Sequence, residues 1–330
     1  MKIITGFLQL YLSMALIRNY CKKCINNTQN QHHKPVEQHP FIISNNKQKT
    51  GYKSNDGFLK DHSFINEKKL ISISPGGLYG FYFLGVITYL KENYNLNNYV
   101  FTGASAGSWA SLAGVYKGDP QDIIQSIDCK NLSKIDSLLE LKYSLKYKLM
   151  NKFNTHDFDF KRLFIGVSTI RNFKIITNIF TDFENLEDAI SACISSSFIP
   201  FITGSFRNKY RDLYGFDGGF SPYPYLNLTN IPHKLHITKD MYIHKPARDD
   251  VKPLIQKIRE FKDTTTLFSF DKFDFIQLYK DGYEDSQKNK DYLDDIFKDD
   301  KLTFSVKSQK WLFGVGGSGN RIPNIHNFKS

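Results

Sequence analysis

Apolar and polar positions alternate in texture along the chain, and the texture predicts elements. "KLISIS" (Lys69 to Ser74) is short, apolar and β-branched, which predicts a buried strand. "PGGLYG" (Pro75 to Gly80) breaks that run. From Phe81 to Tyr94, the apolar positions Phe81, Leu84, Ile87 and Tyr94 fall near a helical spacing. "NYVFTG" (Asn98 to Gly103) predicts a second strand. Small and apolar residues then predict a helix from about Ala106 to Tyr116. Asp119-Pro120 suits an N-cap with proline at the first helical position. Arg162 to Ile170 and Phe173 to Phe180 predict strands around a turn at Arg171-Asn172. Asn185 to Ser197 predicts a helix, His233 to Thr238 a strand, and Phe261 to Phe297 helical structure. Strands alternating with helices imply an α/β class with a largely parallel sheet and helices on both faces.

The flanks lack this order. Ile3 to Ile17 is mostly apolar, led by Lys2 and followed by Arg18, Lys22 and Lys23. At about 15 residues it is short for a membrane span of about 20. Residues 1–25 are therefore expected to form an anchor, a signal core or a docked helix. Asn26 to Asp61 is rich in Asn, Gln, His and Lys, so residues 26–67 are expected to be a polar linker. The folded domain is expected over 68–300. A tail follows over 301–330, where "GVGGSGN" (Gly314 to Asn320) opens no helix.

Composition narrows the function. The chain has 330 residues, 41% hydrophobic and 15% aromatic, enough for a sizeable core, which excludes wholesale disorder. Lys and Arg number 44 against 33 Asp and Glu, a formal net charge of +11. Such a balance favours anionic partners, phospholipid headgroups or nucleic acid. No nucleic-acid motif accompanies it. The four cysteines form no disulfide framework, and Cys21 and Cys24 are half a zinc site that nothing answers. A reducing compartment is the simplest reading. The chain is expected to be membrane-associated or cytoplasmic, with no metal and no cofactor.

Candidate chemistry centres on Gly103-Ala104-Ser105-Ala106-Gly107. A Gly-x-Ser-x-Gly match alone is weak. Here a strand enters it and a small-residue helix leaves it, the setting of a nucleophile elbow. Pro75 to Gly80 also sits between a strand and a helix. A dinucleotide-binding reading lacks its first glycine and an acidic residue about 20 positions on. An oxyanion hole built from the backbone N–H groups of Gly76, Gly77 and Leu78 is the other reading. Asp217, in Phe216-Asp217-Gly218-Gly219, is either a plain Asp-Gly turn or a base. Five histidines follow Ser105 (His156, His233, His236, His244 and His326), so a Ser-His-Asp hydrolase stays open. Ser196 and Ser197 are read as packing residues. Phe81, Tyr82, Phe83, Trp109 and Phe198 are read as core or as lining of an acyl pocket.

In that order, "PGGLYG", "GASAG", "ACISSSFIPFITG", "FDGG" and "LYKDGYEDS" resemble the patatin-like phospholipases, over about Leu70 to Asp285. The resemblance implies a three-layer α/β/α sandwich with a largely parallel central sheet. It implies a lipid acyl hydrolase with a Ser105–Asp217 dyad and the oxyanion loop of Gly76, Gly77 and Leu78. Gly80, Gly103, Gly107, Gly218 and Gly219 complete the family's motifs. Acyl-lipid esters of membranes are the implied substrates. Two positions depart. Pro75 replaces the loop's first glycine, and Tyr79 stands where many members carry a basic residue. A lipid-binding relative without activity is the corresponding alternative.

Overall fold

The structure is a computed structural model that describes residues 41–44, 55–127, 135, 137–171, 174–200, 202–204, 207–221, 223–242 and 274–302. Its sheet has strands β1 (Phe41–Ser44), β2 (Lys69–Ile73), β3 (Tyr99–Ala104), β4 (Leu163–Arg171), β5 (Lys174–Phe180), β6 (Lys209–Tyr210), β7 (Leu213–Phe216) and β8 (His233–Ile237). The spatial order is β1-β5-β4-β3-β2-β8. The run β4-β3-β2-β8, which ends at the β8 edge, is parallel. β5 turns back antiparallel on β4, as the expected turn at Arg171-Asn172 requires, and β1 runs parallel to β5. β7 adds to β4 antiparallel and pairs with β6.

The helices are α1 (Asn55–Asp61), α2 (Gly80–Asn93), α3 (Ala106–Gly114), α4 (Gln121–Ile127), α5 (Leu138–Lys152), α6 (Leu186–Ser196), α7 (Phe275–Lys288) and α8 (Lys290–Ile296). The pleat sorts the strand side chains into two cores. Ile71, Ile73 and Phe101 join the larger one with α2, α3, α6 and Phe275 of α7. Leu70, Val100 and Phe164 point the other way, onto Phe58 of α1, Leu226, Leu228 and Ile231. The result is a sheet covered on both faces, the expected three-layer sandwich. Central strands buried on both sides explain the continuous apolar runs in the sequence.

Most expected elements stand within a residue or two of their places. Asp119 accepts from the Gln121 amide at 2.9 Å and starts α4, and Asn185 accepts from the Asp188 amide at 2.9 Å and starts α6. One expectation needs correcting. The stretch 26–67, read as a linker with folding from 68, supplies β1 and α1 to the fold. Phe58 and Ile65 are fully buried, so the packed structure includes residues well before Lys68. Residues 1–25 and the glycine-rich tail lie outside the described residues, as does the first part of the helical stretch expected from Phe261. Among the described residues no helix is long and apolar enough to cross a membrane.

Candidate active site

β3 ends at Ala104 and α3 starts at Ala106, leaving Ser105 alone to make the turn. It does so with φ 53° and ψ −124°, a conformation side chains rarely adopt. The neighbouring glycines explain why the turn can be so tight. A Cβ on Gly107 would lie 2.2 Å from the Ile73 carbonyl oxygen, and one on Gly103 2.2 Å from that of Gly107. The first turn of α3 thus rests directly on β2 and β3. The Ser105 carbonyl accepts from the Ser108 amide at 3.0 Å and its hydroxyl at 2.6 Å. The Ser105 N–H donates to Ser196 Oγ at 2.8 Å, and Ser196 Oγ donates to the Gly166 carbonyl at 2.6 Å. Ser196 is therefore more than a packing residue. It ties the strained turn to α6 and β4. Its separation of 91 residues from Ser105 hides this in the sequence.

Asp217 follows β7 at the carboxyl end of the sheet. Its amide donates to the Phe198 carbonyl at 2.7 Å, and its Oδ1 accepts from the Gly219 amide at 2.8 Å. Oδ2 accepts from Ser105 Oγ at 2.6 Å. Both side chains are buried, Ser105 4% and Asp217 1% exposed. Gly218 lies against the Gly166 carbonyl and Ala104. The Asp-Gly-Gly stretch is thus a turn that also brings a carboxylate to the serine.

The glycine-rich turn joins β2 to α2. Gly77 has φ 57°, where a side chain would be strained, and Gly80 is the first residue of α2. Among the described residues none of the amides of Gly76, Gly77 and Leu78 meets a protein acceptor. Gly77, Leu78 and Gly80 line the same cavity as Ser105 and Asp217; Gly76 does not, and sits behind them under the Phe83 ring. At the departing position, the Lys239 ammonium lies 5.7 Å from the centre of the Tyr79 ring, so a cation stands near the loop although the loop carries none.

The cavity measures about 120 Å³, room for a chain segment rather than one water. Phe81 and Trp109 line it, as does Ser197, whose Oγ accepts from the Trp109 indole at 3.2 Å. Tyr82 and Phe83 belong to the core instead. One wall comes from α5, an element the sequence reading missed. Leu138, Leu141, Lys142, Leu145 and Leu149 face inward at helical spacing. The histidines lie elsewhere. His236 Nδ1 and His233 Nε2 bond the Ser72 hydroxyl at 2.6 and 2.7 Å, and His156 is exposed. His244 and His326 lie outside the described residues. No imidazole among the described residues bonds Ser105.

A carboxylate that accepts from a strained, buried serine hydroxyl, beside unpaired amides and at a helix N-terminus that favours negative charge, is equipped for acyl transfer. Residues 71–228 match the family model described as patatin-like phospholipase, a span holding the glycine-rich turn, Ser105 and Asp217. Comparison with curated proteins finds no match. The matched span, the mixed and mostly parallel sheet and its flanking helices together mark residues 71–228 as a patatin-like phospholipase domain, of a family of lipid acyl hydrolases.

Proposed function

We propose that the protein hydrolyses acyl-lipid esters with Ser105 as nucleophile and Asp217 as its base. Asp217 takes the hydroxyl proton as Ser105 Oγ attacks the ester carbonyl. The carbonyl oxygen gains the electron pair and is held by the amides of Gly77 and Leu78, with Gly76 behind them. Collapse expels the alcohol, protonated from Asp217, and leaves an acyl-serine that water releases as fatty acid. The 2.6 Å hydrogen bond from Ser105 Oγ to Asp217 Oδ2 carries this reading. The same bond disfavours the Ser-His-Asp alternative. Pro75 has no N–H, but it is not one of the three donors, so its presence leaves the hole intact.

Adsorption to a lipid surface fits the outer side of α5. Leu139, Tyr143, Tyr147 and Met150 are exposed there at one helical face, with Lys148 and Lys152 beside them. This face backs the cavity wall, so docking it would bring lipid to the site. Nothing in this scheme calls for a metal.

Fatty-acid release from phospholipid and neutral-lipid dispersions, with EDTA present, tests the proposal. Ser105→Ala and Asp217→Ala should abolish release, while His236→Ala should keep it. Loss in the histidine variant with retention in Asp217→Ala would instead indicate a triad. An inert wild type on both lipid classes would leave a lipid-binding domain.

A further inference from the structure

The inward face of α5 is leucine at 138, 141, 145 and 149 and lysine at 142. A leucine there would complete an apolar wall. The lysine is 6% exposed, so it is not a surface residue whose stem happens to touch the pocket. Its ammonium lies 5.3 Å from the Phe198 ring centre and 5.7 Å from that of Tyr143. No carboxylate pairs with it among the described residues, and no hydrogen bond holds it. The other charged residue lining the cavity, Asp217, is engaged with Ser105 and Gly219. A buried cation that meets two aromatic faces and no carboxylate among the described residues is an incomplete pair, and its missing member is an anion. Burial also pushes the Lys142 ammonium down to about 8, which still leaves it mostly protonated at neutral pH and ready to gain from an arriving negative group.

We infer that Lys142 is an anion-recognition point inside the acyl cavity, so that the pocket selects acyl chains bearing an anionic oxygen group, a headgroup phosphate or a fatty-acid carboxylate. The inference rests on the reading of this cavity as the place where the lipid chain lies. It makes Lys142 a specificity-determining residue: it would steer which lipid enters and how it is oriented relative to Ser105. It also gives the domain a cation at its site by a route that the oxyanion loop, with Tyr79, does not supply.

Calorimetric titration of the full chain with dodecyl phosphate, dodecanoate and dodecanol, each below its micellar concentration, tests it. A hydrogen bond to a charged group predicts that at least one anion binds about tenfold or more tightly than the alcohol. In Lys142→Met, a shape-conserving change, that ratio should fall to near one; Lys142→Gln is the second neutral variant, and Lys142→Arg should keep the preference. The favoured anion identifies the source, phosphate or carboxylate. A wild-type ratio near one, or a preference that survives in both neutral variants, would overturn the inference. Catalytic failure is separate. A chain that releases no fatty acid yet shows the Lys142-dependent preference refutes the hydrolase reading alone. An active chain without the preference refutes this one alone.

Discussion

Ser105 holds φ 53° because the chain must leave β3 and enter α3 within one residue. A non-glycine residue in such a region costs about 1–3 kcal/mol, which the surrounding packing and the Ser196 bond must offset. Ser105→Gly and Ser105→Ala should therefore differ. Both remove the hydroxyl and should lose activity, but glycine relieves the strain. The glycine variant should unfold later in thermal melts, by about 1 kcal/mol; equal melting, or the reverse order, would show the turn to be unstrained. The serine and the aspartate were both legible in the sequence, through short motifs whose glycines answer a physical need. Gly107 has no room for a Cβ beneath Ile73. Ser196 and Lys142 were not legible. Their roles depend on which distant residues they meet, and no local pattern encodes that.

At the scale of elements, α6 links the site to the sheet through Ser196, and an acidic anchor holds its first turn. Arg211 Nη2 donates to Asp188 Oδ2 at 2.6 Å and Tyr210 Oη to Oδ1 at 2.7 Å. Burial alone would raise the Asp188 carboxyl, but these hydrogen bonds outweigh it and hold it below its usual range. A lowered folded-state value means that the stabilisation is complete above the ordinary carboxylate pKa of about 3.9 and fades as pH falls through the folded value. Asp188→Asn should thus melt below wild type at pH 7, with the gap narrowing as the pH is lowered from about 4 through the folded-state value. A gap of constant size across that window would refute the electrostatic account. α5 carries a second prediction. Tyr147 is 71% exposed on its outer face. Facing anionic vesicles, a new acidic group there should cost about 1 kcal/mol, about fivefold in hydrolysis. Tyr147→Glu should show that loss on vesicles and not on a soluble short-chain ester; equal effects on both would remove α5 from the membrane surface. This helix escaped the sequence reading for a related reason. Apolar residues on both faces, at 138, 141, 145 and 149 and at 139, 143, 147 and 150, blur the helical period.

For the molecule as a whole, the family match ends at 228, yet the sandwich does not. β8 pairs with β2, and α7 lies along α2 so closely that a Cβ on Gly282 would sit 2.0 Å from the Tyr82 carbonyl oxygen. Tyr82 and Tyr94 donate to Asp285 of α7 and Asp294 of α8, and Tyr99 to Asp300 just beyond, which fastens the later helices and the bend after them to the core. The α/β architecture was legible because β2, β3 and β4 are buried on both faces and bounded by turn residues. The early contribution of β1 and α1 was not, since their few apolar residues are isolated among Asn, Lys and His. The central claim is that this frame exists to present a serine activated by Asp217. Covalent labelling by an alkyl fluorophosphonate, mapped by mass spectrometry, tests it most directly. Attack by Ser105 Oγ on phosphorus expels fluoride and leaves a stable adduct. The account predicts one adduct, on Ser105, and its loss or a slowing of about 100-fold or more in Asp217→Asn. Labelling of another serine, or undiminished labelling of Ser105 in Asp217→Asn, would contradict it.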